Sequence, residues 1–273
     1  MSKILSSFFL ILFISIGAAQ KKDITVETIY NGTFRTERLQ SLHSMTNGQQ
    51  YSVLNFDRSD RSSSIDIYDY KTLQKVETVV NSSKVRGLPA FFDYTFSDDE
   101  NKIMLTTDYK SIYRYSTLGE YYVYDTRSNV AKKLSDNLVQ EPTFSPDGTK
   151  VAYVFENNIY IKDLITGKVR QVTFDGKKNK IINGVTDWVY EEEFGFVRAF
   201  DWSKDSQKIA FLKFDETDVP EFSMDVYGSE LYQTQQVYKY PTAGEKYAKF
   251  ALYIFFLSDG KVRPVKVTKT YTD

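Results

Sequence analysis

Residues Asp187 to Phe196 read DWVYEEEFGF and set three glutamates side by side in a chain otherwise rich in strand-forming residues. Carboxylates crowded together repel, and a bound cation removes that penalty. On a helix, neighbouring side chains diverge by about 100°, yet two of them still converge on a small target seated between them. A primary ammonium suits such a pair, because it offers three donors and each carboxylate accepts one. The site would read a free α-amino group and reject an internal peptide amide, which carries no charge. Trp188 and Tyr190 are candidates for apolar walls around it. Two other readings compete. One is a solvated acidic face near a helix N-terminus, where the dipole favours glutamate. The other is a carboxylate pair for glycoside cleavage, although those acids usually come from separate strands. Spacing alone leaves all three open.

Other chemistry is scarce. His43 is the single histidine, there is no cysteine, and no Gly-x-Ser-x-Gly elbow occurs. A Ser-His-Asp or Cys-His arrangement is therefore not expected within these residues. His43 reads as a surface or half-buried polar residue. HExxH patterns, P-loops and dinucleotide-binding glycine patterns are absent, so a zinc-enzyme site is not expected and no phosphate- or dinucleotide-binding loop is legible. Without cysteine there is neither a cysteine-type zinc site nor a lipoprotein anchor, and stability rests on core packing. Lys plus Arg number 35 against 36 Asp plus Glu, a balance that argues against nucleic acid as partner.

The elements that must carry the triplet announce themselves by repetition. Phe96 to Ile103 reads FSDDENKI, Phe144 to Val151 FSPDGTKV, and Trp202 to Ile209 WSKDSQKI, with a degenerate copy, SMTNGQQY, at Ser44 to Tyr51. Each joins an aromatic-Ser pair (Ser-Met in the degenerate copy) to a turn rich in Asp, Asn or Gly and then to an apolar strand start. Starts at 44, 96, 144 and 202 lie 52, 48 and 58 residues apart. Such a period, with several short strands per unit, marks a β-propeller rather than a two-sheet sandwich. KVAYVF (150–155), IYIKDL (159–164) and VRQVTF (169–174) show the strand grammar, as do 120–134 and 65–80. The expected fold is all-β, a partial propeller of about four to five blades, four units and the start of a fifth. Residues 187–199 break the pattern and read as a short helix or ordered loop between blades. Residues 215–242, long and polar, read as an excursion from the ring. At the start, Lys3, the apolar run 4–16 and the small residues 17–19 read as a secretory signal, residues 1–19, with an uncleaved anchor as the alternative. One domain, 20–273, follows, and the protein is expected to be exported, periplasmic or secreted.

The stretches NGVTDWVYEEEFGF (183–196), FDETDVPEFSM (214–224) and YPTAGEKYAKFAL (240–252) resemble, in order, the propeller half of the dipeptidyl peptidase IV family. These are serine exopeptidases related to prolyl oligopeptidase, and the chain looks like a bacterial-type member from about Asp23 onward. The resemblance implies an eight-bladed propeller capping an α/β-hydrolase domain that is absent from this chain, so that no catalytic residue is expected here. It implies that Glu192 and Glu193 bind the substrate's amino terminus, that Glu191 is structural or electrostatic, and that Arg114 in SIYRYST, after Tyr113, contacts a substrate carbonyl. The animal enzymes carry an aromatic where Gly195 stands. Release of Xaa-Pro or Xaa-Ala dipeptides from free N-termini, without cofactor, is implied, as is a homodimer formed partly through an arm near 240–270. A non-catalytic propeller that binds peptide N-termini is the alternative.

Overall fold

Each copy of the repeated phrase is the turn between the first two strands of an antiparallel sheet. A computed structural model describes residues 23–36 and 42–266; the signal expected at 1–19 and the start of a fifth unit lie outside the described residues. The described residues fall into two compact units, 23–36 and 42–266. In the first, Thr25 caps a five-residue helix, α1 (Val26–Tyr30), through a reciprocal hydrogen-bond pair with Thr28.

Among the described residues the second unit holds four blade sheets. Blade 1 is β1 (Leu42–Ser44), β2 (Gln50–Asp57), β3 (Ser62–Asp69) and β4 (Lys75–Asn81). Blade 2 is β5 (Asp93–Phe96), β6 (Lys102–Ser111), β7 (Thr117–Asp125) and β8 (Val130–Lys133). Blade 3 is β9 (Gln140–Phe144), β10 (Lys150–Phe155), β11 (Asn158–Asp163) and β12 (Val169–Gln171). In each, sequential neighbours pair antiparallel. Blade 4 is irregular. Its second strand, β15 (Lys208–Asp215), is flanked along one edge by β13 (Ile181–Asn183) and β14 (Phe200–Trp202) placed end to end, and along the other by β18 (Lys249–Phe256), followed by β19 (Lys261–Pro264). The segment 187–199 is therefore an insertion within the first strand of blade 4, not a link between blades. Short-range pattern could not show this, because β13 has three residues and its pairing with β15 is non-local. The 215–242 excursion is a hairpin, β16 (Glu221–Val226) with β17 (Thr234–Lys239), whose first strand is exposed throughout. Of the span expected to hold a dimer arm, 249–264 supplies the last two strands of blade 4.

The core lies between blade faces. One cluster joins Ile65 and Val80 of blade 1 to Ile103, Leu105 and Tyr124 of blade 2. A second joins Met104 and Val123 to Val151 and Tyr153. The third joins Ala152 and Val154 to Phe200, Ile209 and Phe214 of blade 4. Successive residues of β10 thus face different blades, since side chains alternate across a strand. A strand buried on both faces loses its polar alternation, which is why KVAYVF alternates only weakly.

The turns share one geometry. In three of them the Ser backbone and hydroxyl bracket the residue five positions on: Ser97 with Lys102, Ser145 with Lys150, Ser203 with Lys208. The fifth position of every repeat is left-handed, at Gly48, Glu100, Gly148 and Ser206.

Candidate functional site

Arg114 sits at the tip of the long β6–β7 hairpin of blade 2, where the Ile112 amide donates to the Ser116 carbonyl. The glutamates ride on α2 (Trp188–Phe194). Asp187 caps its N-terminus by accepting from the Tyr190 amide at 3.1 Å, and Gly195, with φ of 71°, closes its C-terminus in the left-handed conformation. The stem beneath it is pinned by Thr186 N to Val197 O and Ala199 N to Gly184 O. Tyr190 turns into an aromatic cluster with Phe194, Phe196, Phe214 and Phe250, which seats the helix on blade 4. It therefore serves packing rather than a wall of the acid pair, whereas Trp188 packs edge-on to Tyr240 at 4.5 Å and lines a cleft.

The three glutamates point to three environments. Glu191 is 1% exposed, and its Oε1 accepts from the amides of Tyr115 and Ser116, each at 2.8 Å. Glu192 places Oε2 2.9 Å from Nε of Arg114, whose side chain is 68% exposed. Glu193 is exposed and forms no ion pair among the described residues. Of the residues singled out in the sequence, Arg114 of blade 2 and Glu192 of blade 4 are brought together, whereas Glu193 follows on the same helix, exposed to solvent. Arg114 and Glu192 balance each other in charge, and Glu193 adds an exposed carboxylate one residue further along α2.

Beneath it lies a cleft of about 710 Å³ lined in part by Tyr113, Ser116, Asp187, Trp188, Glu191 and Glu216. Burial, reinforced by nearby Glu216 and Glu191, pushes the Tyr113 hydroxyl up to about 12. Burial, with Asp187 as a like-charged neighbour, pushes the Glu216 carboxyl up to about 7 against the opposing pull of Lys239. Asp187 is also raised by burial, against backbone hydrogen bonds that lower it. Glu216 had no signal in the sequence: it lies within FDETDVPEFSM, but its burial depends on elements distant along the chain. His43 lies exposed on β1, edge-on to Tyr94. Among the described residues no cluster of His, Asp or Glu is arranged to hold a metal ion, and no helix is long and apolar enough to cross a membrane.

A family model described as the dipeptidyl peptidase IV (DPP IV) N-terminal region matches residues 97–273. Prolyl endopeptidase FAP of Homo sapiens is 33% identical over 226 residues, which cover 82% of this chain and 29% of that protein. Dipeptidyl peptidase 4 of Felis catus is 30% identical over 237 residues, covering 84% of this chain and 29% of its own length. The crystal structure of Porphyromonas gingivalis dipeptidyl peptidase 4 is 38% identical, with a TM-score of 0.83, over 90% of this chain and 35% of that one. The chain spans less than a third of the length of these two curated relatives.

Proposed function

The chain belongs to the dipeptidyl peptidase IV N-terminal-region family, and from that premise we propose that it is the substrate-recognition portion of an exported serine exopeptidase that releases Xaa-Pro or Xaa-Ala dipeptides. In this reading residues 1–19 are the export signal and 20–273 the propeller region. Chemistry comes from an α/β-hydrolase domain and this region supplies position. The observation that carries the reading is the 2.9 Å pair of Arg114 with Glu192, with Glu193 one residue further along the same helix.

An incoming α-ammonium meets the net negative charge of this group and donates to Glu192 and Glu193. Arg114 holds Glu192 in place and turns its remaining N–H groups toward a substrate carbonyl. Fixing the amino terminus fixes the scissile bond two residues away, a gain from orientation rather than from chemical activation. No metal or organic cofactor takes part. The partners are peptides with free amino termini, not nucleic acid, and a second copy of the protein, met partly through an arm near 240–270.

The test is titration of the intact protein with the dipeptide Ala-Pro and with N-acetyl-Ala-Pro, alongside Glu192→Ala and Glu193→Ala. Each substitution removes one charge-assisted hydrogen bond and is expected to weaken Ala-Pro binding about 10- to 100-fold, while the acetylated form binds poorly throughout. Equal affinity for the two peptides, or full affinity in both variants, would sink the proposal.

A further inference from the structure

Glu191 does not share the task of its two neighbours. Helical geometry turns it about 100° away from Glu192, into the space between blades 2 and 4, where it is 1% exposed. There one carboxylate oxygen holds the amides of Tyr115 and Ser116, both at 2.8 Å. These are the two residues that follow Arg114. The contact is therefore offset by one residue on the helix from the Arg114–Glu192 ion pair, and the two together clamp the hairpin tip to α2.

We infer that Glu191 is a positioning residue for ammonium recognition, acting by holding the Arg114 tip at the distance where its guanidinium partners Glu192. The inference rests on the reading that Glu192, Glu193 and Arg114 bind the ammonium. The physical case is one of preorganisation. The Arg114 side chain is mostly exposed and rotamer-rich, so its placement costs entropy unless its backbone is fixed. Two charge-assisted hydrogen bonds, donated by the Tyr115 and Ser116 amides to a buried carboxylate, fix that backbone. The clamp also explains why the triplet tolerates three adjacent acids: one is satisfied by amides, one by a guanidinium, and one is left for the ligand.

A buried glutamate that merely stabilises the fold would affect every variant alike, whereas a positioning residue acts only through Arg114. The experiment is a double-mutant cycle in the intact protein, Glu191→Gln against Arg114→Ala, read by titration with Ala-Pro and N-acetyl-Ala-Pro. Gln keeps an acceptor without the charge, so the fold is retained while the clamp weakens. In the otherwise unchanged protein, Glu191→Gln is expected to raise the Kd for Ala-Pro about threefold or more, as a charged hydrogen-bond acceptor becomes neutral. In the Arg114→Ala background it is expected to change the Kd less than about 1.5-fold, since independent effects add and coupled ones do not. Binding of N-acetyl-Ala-Pro, which lacks the ammonium, should change less than binding of Ala-Pro. Equal losses in both backgrounds, or no loss in either, overturn the positioning role while leaving the ammonium reading in force. If the unsubstituted protein fails to distinguish the two peptides, both fall together.

Discussion

Glu191 and Glu216 border the same cleft and are comparably buried, at 1% and 7% exposed, yet they are held differently. Glu191 has two amides on one oxygen. Glu216 is pushed up to about 7 by burial first and by Asp187 second, and the Lys239 ammonium that opposes them is engaged by the Val219 carbonyl at 2.7 Å. A carboxyl whose folded-state pKa is raised keeps a proton that the unfolded chain releases. Its contribution is therefore full below about pH 4.5 and declines as pH rises to about 7. Glu216→Gln cannot ionise and should remove that decline, stabilising the protein at pH 8 by roughly 1–3 kcal/mol and changing little at pH 4. Denaturant unfolding at the two pH values measures this, and an unchanged pH dependence in the variant would refute it. The sequence showed Glu216 only as one acid in FDETDVP. Its character comes from surroundings that no local spacing encodes, whereas Glu192 and Arg114 were legible because their motifs carry a family resemblance.

A helix of two turns has too few hydrogen bonds to persist alone, so α2 depends on its ends and on the Tyr190 cluster. The break in β alternation at 187–199 was readable as a short helix or ordered loop. Its place inside the first strand of blade 4 was not, because β13 and β14 are recognisable only through their common partner β15. Gly195 has a local reason at this scale: it adopts φ of 71° to terminate the helix. A Cβ added there would meet no atom within 4 Å beyond its chain neighbours and the helix's own backbone, so a side chain would meet backbone strain rather than a clash. Gly195→Ala should cost about 1 kcal/mol of stability, the usual penalty of a left-handed L-residue, while Gly195→Asn should cost less because Asn visits that region readily. Thermal unfolding of the two variants decides the point, and an Ala variant as stable as the Asn variant would show that the cap conformation is not limiting. Because the same turn carries Glu193, the Ala variant should also bind Ala-Pro more weakly than the Asn variant.

Across the blades the repeated turn does more than reverse the chain. In blades 2, 3 and 4 its left-handed fifth position lies against the corresponding turn of the preceding blade. Glu100 accepts from the Thr46 amide at 2.6 Å, and Ser206 accepts from the Asp147 amide at 3.0 Å. A Cβ on Gly148 would lie 3.3 Å from Asp99. The sequence displayed the repeat and its period, and hence the blade class, because each turn is local. It did not display this stitching, which links turns roughly 50 residues apart, the period of the propeller blade. Two of the positions use a residue that is strained there, and the cross-blade hydrogen bond offsets the strain. Ser206 separates the two contributions. Ser206→Ala keeps the strain and leaves the Asp147 amide without its acceptor, a loss of about 1–3 kcal/mol. Ser206→Gly loses the same bond but relieves the left-handed backbone by about 1 kcal/mol. Stability should therefore rank Ser above Gly above Ala in denaturant titrations. A Gly variant more stable than the parent would mean that strain outweighs the stitch, and an Ala variant as stable as the parent would mean that blades 3 and 4 are held by their apolar faces alone.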